Sequence, residues 1–263
     1  FPDGKAPFLG VMTSDDSDSA SSESGVLQFP EPGHLLTIAP TRTGKGASHI
    51  IPNLLLYAGS AAVIDIKGEN YAVTGEFRRR MYPGARVIRF APFERDTDRY
   101  NPLDFVRTDG QGPSPDTFDD ARLLSDMLIP GKAKEEYWDV ESRNLVTMLV
   151  IYVASAHAYG SGERTMAEVA RLLFRTDATS EKRGFDITLS EVHAYARRVA
   201  YRPLLALVTG FLEHDAKVQK NILSSCRADL RIWNSQRLQD ATSRSDFTFA
   251  DLKASMCRPV GSV

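Results

Sequence analysis

The hydrophobic pattern of the chain changes character near residue 113. Before that point, short apolar runs alternate with amphipathic stretches, and the runs cover 35–39, 61–65 and 85–90. Apolar runs of this length between polar turns predict buried strands. Strands that alternate with helices are joined by right-handed crossovers, so this part of the chain predicts an α/β fold with a mostly parallel sheet.

Two helices are predicted to connect these strands, over residues 47–57 and 70–81. Pro52 lies inside the first of them, one turn after its start. Because proline has no backbone N–H and clashes with the preceding turn, we expect a kink or a late helix start there.

A short hairpin is predicted near the N-terminus, with strands near 8–12 and 26–29. The residues that join them, 13–25, are acidic and rich in serine. A segment of this composition buries too little apolar surface to become ordered, so we expect a solvated loop.

Residues 113–236 show helical periodicity and almost no strand pattern. Apolar residues recur every three to four positions, which is typical of amphipathic helices. The predicted helices cover 116–128, 135–158, 165–174, 189–199, 202–213 and 216–233. Thr165, with Glu168 three residues later, predicts a capping box at the start of the third.

Strand character returns after residue 246, so the first domain is predicted to be discontinuous. We expect an α/β domain formed by 1–112 and 237–263, with an all-α domain, 113–236, inserted into it. The 263 residues are enough for two ordinary domains. 

Composition and charge are those of an ordinary globular protein, with 42% hydrophobic and 25% charged residues. The net charge of −2 excludes a basic footprint over the whole chain, although a local basic patch stays open. Cys226 and Cys257 lack metal-site spacing and are expected to be buried thiols. No apolar run approaches the ~18 residues of a membrane span.

The candidate chemistry lies where the first predicted strand ends. Residues 40–46, Pro-Thr-Arg-Thr-Gly-Lys-Gly, come between a strand and a helix. In that layout, backbone N–H groups of the loop cradle anionic oxygens, and Lys45 adds a positive charge at the terminal phosphates of a nucleotide. The general motif has Gly where Ala39 stands and Ser or Thr where Gly46 stands. The alternative is a plain strand-to-helix turn with a solvated lysine.

Five motifs in order resemble the type IV secretion coupling proteins, the TraG/TraD-like P-loop ATPases. They are the loop 40–46, Ile-Pro-Asn-Leu-Leu at 51–55, Asp-x-Lys-Gly-Glu at 65–69, Asn-Pro-Leu at 101–103, and Trp138 followed by Arg-Asn-Leu at 143–145. The similarity includes Gly46, the residue that departs from the general motif. The resemblance implies a RecA-like P-loop nucleotide-binding domain with an inserted all-α domain.

The resemblance also implies the biological setting. It implies ATP and Mg²⁺ as cofactors, a homo-hexamer, and a place at the cytoplasmic face of the bacterial inner membrane, with transmembrane helices expected upstream of residue 1. The implied partners are secretion-channel components and DNA or protein substrates, recruited directly or through an adaptor or relaxase. An acidic strand motif is expected beyond Val263, so we expect little hydrolysis by this chain alone. Two alternatives stay open: a docking module whose all-α domain carries the activity, and a related ring-forming DNA pump.

The candidate site residues follow from the loop and from the second predicted strand. The nucleotide-binding candidates are Thr41, Arg42, Thr43, Gly44, Lys45, Gly46 and Ala47. The catalytic candidates are Lys45, Asp65 and Glu69. Asp65 is either a metal ligand or a carboxylate that positions water or orients Lys45, and Glu69 either polarises water or caps the helix that starts at 70. The magnesium ligand is left unassigned, because Gly46 has no hydroxyl.

Several other polar and aromatic residues are expected to have structural roles. The basic run Arg78-Arg79-Arg80 is expected to offset a helix dipole, with a DNA or lipid contact as the alternative. Trp138 and Trp233 are expected to pack in the core, and Arg143 to form an ion pair.

Overall fold

A computed structural model describes residues 6–12, 25–29, 34–38, 40, 42–110, 112–131, 137–176 and 184–251. The described residues form two compact units, one drawn from Phe1–Arg89 and Thr248–Val263 and the other from Phe90–Phe247. The domain boundaries at 112/113 and 236/237 stay predictions from the sequence. Thr41, Cys257 and most of the segment 13–25 lie outside the described residues.

The first unit contains the predicted hairpin. Strands β1 (Phe8–Met12) and β2 (Gly25–Gln28) pair antiparallel, with Val11 opposite Val26 and an irregularity between Phe8 and Gly10. The N-terminal hairpin prediction is therefore confirmed.

The predicted parallel sheet is absent from the described residues, whose sheet has two antiparallel strands only. The segments 34–38, 61–65 and 85–90 carry no strand hydrogen bonding. Their apolar side chains also remain outside a core, since Ile38 is 86% exposed and Ile64 is 92% exposed. The prediction of three buried strands is wrong here. An apolar run gives a segment the composition of a buried strand, but a strand also needs a hydrogen-bonded neighbour and a covering layer, and neither is formed.

Two helices of the first unit match their predicted positions. A π-helical turn, Gly46–Ile50, leads into α1 (Ile51–Leu56), with Pro52 in the first α-helical turn. The late start follows from the missing N–H of Pro52, which is tolerated only where no intrahelical bond is needed. Helix α2 spans Glu69–Met81 and begins one residue earlier than predicted.

The second unit is a bundle of seven helices among its described residues. They are α3 (Thr117–Leu128), α4 (Tyr137–Ala156), α5 (Met166–Leu173), α6 (Gly184–Val199), α7 (Arg202–Glu213), α8 (Ala216–Asp229) and α9 (Gln236–Ala241). A 3₁₀ turn, Leu230–Asn234, follows α8. The six predicted helices are all present. Helix α9 was not predicted, because its two turns are too short for a clear apolar period.

Helix α4 forms the centre of this bundle. Its stretch from 145 to 151 is entirely buried, and the helix packs against α3, α5, α6, α7 and α8. Trp233 and Cys226 are buried in the same core, as predicted, and burial raises the pKa of the Cys226 thiol. Among the described residues, no helix combines the length and the apolar character that crossing a membrane requires.

The Asn-Pro-Leu motif anchors the chain to this bundle. Leu103 is fully buried, and the Asn101 side chain accepts a hydrogen bond from the Leu103 N–H (3.1 Å). The same amide donates to the Arg164 carbonyl (2.8 Å). Arg164 is itself 1% exposed and donates to the carbonyls of Ala154 (2.8 Å) and Val106 (2.7 Å). Buried hydrogen bonds from side chains to backbone carbonyls therefore hold the segment 101–106 against the segment 154–164.

A helix cap at α5 and an ion pair at α3 fix the starts of these two helices. The Thr165 hydroxyl accepts from the Glu168 N–H, as the capping box predicts. At α3, Asp120 is nearly buried and accepts two charged hydrogen bonds from the Arg107 guanidinium, each 2.8 Å. These bonds hold the pKa of the Asp120 carboxyl below its ordinary value.

The depressed pKa of Asp120 makes the stability of the bundle depend on pH. A carboxyl whose pKa is lowered on folding contributes stability that is present above its ordinary pKa near ~4 and is lost as pH falls through the folded value. We expect Asp120→Asn to destabilise the protein at pH 7 and to cost progressively less below pH ~4. Urea unfolding of both proteins between pH 3 and 7 measures this, with the exposed neighbour Asp119→Asn as control. An equal difference at all pH values would contradict the linkage.

Candidate functional site

The predicted phosphate loop has an unusual backbone. Arg42 has a φ of 64° and Gly44 a φ of 87°, so both occupy the left-handed region, whereas Lys45 is right-handed helical (φ −46°). The left-handed conformation is higher in free energy for arginine than for glycine. Residues held in such conformations are concentrated at sites where a loop binds a ligand. Alternation between the two regions points successive N–H groups to one side, which creates a concavity for an anion.

The loop is closed by side chains that bond to its own carbonyls. The Thr43 hydroxyl and the Lys45 ammonium both donate to the Pro40 carbonyl, at 2.8 and 2.6 Å. The Ser48 N–H and hydroxyl both donate to the Gly44 carbonyl, at 2.8 and 2.9 Å. The positive charge of Lys45 is therefore held over the loop by bonds that a bound anion can replace.

The two glycines after Thr43 differ in what they require. Gly44 needs its left-handed φ, so any side chain there strains the backbone. Gly46 has no positive φ, and a Cβ added to it would meet no atom of the described chain within 4 Å. Neither packing nor backbone conformation in the described structure therefore requires glycine at position 46. The missing side chain leaves open space beside the loop.

Asp65 lies at the start of α2, where it acts as a cap. Its carboxylate accepts from the Tyr71 N–H (2.9 Å) and from the Asn70 side chain (3.3 Å). Gly68, left-handed at φ 72°, lets the chain turn back towards Asp65. Such a carboxylate satisfies an orphan N–H and interacts favourably with the helix dipole. The sequence suggested capping for Glu69 and gave no such indication for Asp65.

Glu69 is the first residue of α2, and its side chain is exposed. The structure thus places Arg42–Gly46 in one loop, Ala47 in the π-helical turn, and Asp65 with Glu69 at the start of α2. The Ser48 hydroxyl, a possible metal ligand by its position, is bonded to the helix backbone instead. Within the described part of the chain, no group of three or more His, Cys, Asp or Glu residues could hold a metal ion.

Comparison with known proteins identifies the family. The family model described as type IV secretory system conjugative DNA transfer matches residues 11–257, almost the whole chain. The chain belongs to this family. The recognition made from the five motifs is therefore confirmed.

Individual members of the family are similar over most of the chain. The conjugal transfer protein TraG of Escherichia coli is 25% identical over 227 residues, covering 86% of this chain and 35% of TraG. The VirD4 protein of Agrobacterium fabrum is 30% identical over 228 residues, covering 85% of this chain and 31% of VirD4. VirD4 of Rhizobium radiobacter is 29% identical over 227 residues. The chain spans about a third of the length of these relatives.

The basic run beside the family's Asp-x-Lys-Gly-Glu motif has a role that the sequence did not reveal. The Arg78 guanidinium donates to the carbonyls of Leu54 (2.7 Å), Tyr57 (2.7 Å) and Gly59 (3.0 Å). Arg78 therefore caps the C-terminal end of α1, whose last residue precedes it by 22 positions in the sequence. It does not cap α2, the helix to which it belongs. Arg79 and Arg80 form surface ion pairs with Glu76.

The Arg-Asn-Leu motif in the helical unit also has structural contacts. The Arg143 Nε donates to the Ile129 carbonyl (2.9 Å) at the end of α3, and Arg143 lies 3.7 Å from the Asp126 carboxylate. The Asn144 side chain accepts from Arg122 (2.7 Å), and Leu145 is buried. The predicted ion pair of Arg143 is confirmed, and the motif joins α3 to α4.

Proposed function

We propose that the protein is the ATP-binding part of a type IV coupling ATPase, which recruits DNA or protein substrates and uses ATP hydrolysis to deliver them to a secretion or conjugation channel. Membership of the conjugative DNA transfer family and similarity to proteins named TraG and VirD4 support this proposal. The observation that carries the nucleotide site is the backbone of the loop, in which Arg42 and Gly44 are left-handed and the Lys45 ammonium is held by the Pro40 carbonyl. Gly46 is compatible with this site, since a side chain is missing where a ligand would lie beside the loop.

The loop has the chemistry that a triphosphate requires. The backbone N–H groups of Thr43, Gly44, Gly46 and Ala47 bind the phosphate oxygens, braced by Thr41 and Arg42, and the Lys45 ammonium moves from the Pro40 carbonyl to the terminal phosphates. Mg²⁺ would neutralise phosphate charge, and because Gly46 has no hydroxyl, phosphate oxygens and water would be its main ligands. Asp65 orients the start of α2, and Glu69 is the candidate to polarise the attacking water.

The proposal extends to the architecture of the whole protein. We place the chain in a RecA-like P-loop domain that carries an all-α insert, which membership of the family supports. We place the protein in a homo-hexamer at the cytoplasmic face of the bacterial inner membrane. Its partners are channel components and substrates bound directly or through an adaptor or relaxase.

Gly46→Ala separates a ligand role from a folding role. We expect the free energy of unfolding to stay equal or to rise by about 0.5–1 kcal/mol, because alanine is the better helix former. We expect the affinity of the full-length protein for Mg²⁺-ATP to fall at least about tenfold, because the methyl group enters the phosphate space. Calorimetric titration and urea unfolding measure the two effects. Unchanged affinity would contradict the proposed site.

A second candidate function, a docking module, is favoured by the outward face of α8. Lys217, Lys220 and Arg231 are exposed along one side of α8 and the turn after it, opposite the buried Ile222 and Cys226. No Asp or Glu occurs between residues 216 and 228, and the exposed Asp229 is the one acidic residue between Lys217 and Arg231. We call Lys217, Lys220 and Arg231 together the α8 face. On a chain with a net charge of −2, this local basic surface suits the phosphate backbone of a nucleic acid.

Charge reversal tests the α8 face. We expect Lys217→Glu, Lys220→Glu and Arg231→Glu together to weaken binding of single-stranded DNA at least about tenfold and to reduce its salt dependence, because fewer counterions are released. The control reverses three exposed arginines elsewhere in the bundle, Arg197, Arg198 and Arg202, and so changes the net charge equally. Fluorescence anisotropy over a salt series measures both. Equal losses in the two variants would show a nonspecific charge effect and would exclude a site on the α8 face.

A further inference from the structure

The helix that carries the phosphate loop has only a weak hydrophobic anchor, because the apolar residues of α1 are partly buried and none is fully buried. Neither the π-helical turn Gly46–Ile50 nor helix α1 contains a buried residue. A surface helix is normally fixed by an apolar face that packs against a core. Polar contacts therefore contribute to its position in the described unit, and they come from two neighbours, the hairpin β1–β2 and α2.

The Asn53 side chain makes two hydrogen bonds to the hairpin. The Asn53 Oδ1 accepts from the Phe8 N–H (2.7 Å), and the Asn53 Nδ2 donates to the Phe8 carbonyl (2.9 Å). The amide thus pairs with both backbone groups of one strand residue, as a neighbouring strand would. Only a side-chain amide offers an acceptor and two donors in this arrangement.

The same amide also reaches back towards the phosphate loop. Its Nδ2 donates to the His49 carbonyl (2.7 Å), one turn earlier and inside the π-helical turn. Hydrogen bonding is irregular there, because Pro52 has no N–H to donate to the preceding turn. Asn53 therefore connects strand β1 to the turn that begins directly after Lys45. π-Helical segments are frequent at functional sites, and in this one the His49 carbonyl accepts a hydrogen bond from the Asn53 side chain.

We propose that Asn53 is a positioning residue of the nucleotide site, which locks the π-helical turn to the hairpin β1–β2 and so fixes the orientation of the phosphate loop. The inference rests on the proposed ATP site. It assigns to the hairpin a defined task, which is to hold the helix that presents Lys45 and the loop N–H groups to a triphosphate.

The first test is Asn53→Asp, which keeps the shape and removes both donors. We expect the amides of residues 46–50 to exchange with solvent at least about tenfold faster in the 263-residue chain, as the turn opens locally. In the full-length protein, we expect the KM for ATP to rise about tenfold with a smaller change in kcat, since the loop must be reordered on binding. Hydrogen exchange read by mass spectrometry needs no nucleotide, so it tests the positioning role even if the protein fails to bind ATP.

The second test breaks the contact from the hairpin side. Phe8→Pro removes the N–H that donates to Asn53 and leaves Asn53 intact, while Phe8→Ala removes only the side chain. We expect Phe8→Pro, but not Phe8→Ala, to reproduce the faster exchange of residues 46–50. This pair keeps the inference testable if Asn53→Asp does not fold.

The outcomes separate the inference from the proposed function. Faster exchange in Asn53→Asp and Phe8→Pro supports the positioning role, and a matching rise in KM supports its link to ATP. Unchanged exchange of the turn in both variants overturns the inference, even if the wild-type protein binds ATP normally. Absence of ATP binding in the wild-type full-length protein overturns the proposed function instead.

Discussion

Lys45→Ala is expected to abolish ATP hydrolysis by the full-length protein, with a loss of at least about 100-fold in kcat/KM. The reason is that Lys45 is the positive charge that the structure holds directly over the loop, 2.6 Å from the Pro40 carbonyl. Phosphoryl transfer depends on neutralising the charge of the transferred group. Substrate delivery should fail with it, while substrate recognition by the helical unit should persist. Phosphate release and a conjugation assay measure the two effects.

The matched control is Arg80→Ala. Arg80 belongs to the same compact unit, is exposed, and pairs with Glu76 one turn away, so the same charge is lost without a role at the loop. We expect its hydrolysis rate to stay within about twofold of the wild type, because exposed ion pairs contribute little. Continued delivery by Lys45→Ala would instead favour the docking module over the motor.

Arg164→Ala is expected to destabilise the helical unit by about 3 kcal/mol or more. Arg164 is 1% exposed and binds the carbonyls of Ala154 and Val106, while its ring contact with Tyr159 is 4.3 Å. Alanine leaves two buried carbonyls without their donor and opens a cavity. Arg164→Lys should also be destabilising, because one ammonium cannot bond in the planar, forked arrangement of the guanidinium.

Urea unfolding followed by circular dichroism measures this prediction. The control is Arg171→Ala, which removes an exposed arginine paired with Glu168 in α5 and should change stability by at most about 1 kcal/mol. Similar losses for Arg164→Ala and Arg171→Ala would contradict the claim that buried carbonyl capping holds the segments of this unit together.

The helical unit was predictable from the sequence because its signals are local. Helical periodicity located α3 to α8, and the capping box at Thr165 marked the start of α5 within one residue. The turn at residues 42–46 was also predictable, because it is a short contiguous stretch before a helix, whereas its binding of phosphate stays a prediction. The structure added the left-handed Arg42 and the bond from Lys45 to the Pro40 carbonyl, which a motif does not encode.

Two of the errors and omissions involve partners that are distant in sequence, and a third, at Asp65, involves a local cap. The predicted strands at 35–39 and 61–65 were judged by composition, whereas a strand is defined by its hydrogen-bonded neighbour. The carbonyls that Arg78 caps lie at the end of α1 and not in its own helix. From the sequence, its place in a basic run instead suggested an interaction with the dipole of its own helix. Asp65 was assigned to metal or water chemistry because it follows an apolar run, yet its carboxylate caps α2.

The central claim is that the loop after residue 40 grips a triphosphate through its main-chain N–H groups. The most direct measurement is hydrogen exchange of the amides of residues 43–47 in the full-length protein, with and without saturating Mg²⁺-ATP. We predict that nucleotide slows exchange of these amides selectively, and that Gly46→Ala removes the effect. Nucleotide binding that leaves these amides unprotected, or protects only residues elsewhere, would contradict the claim.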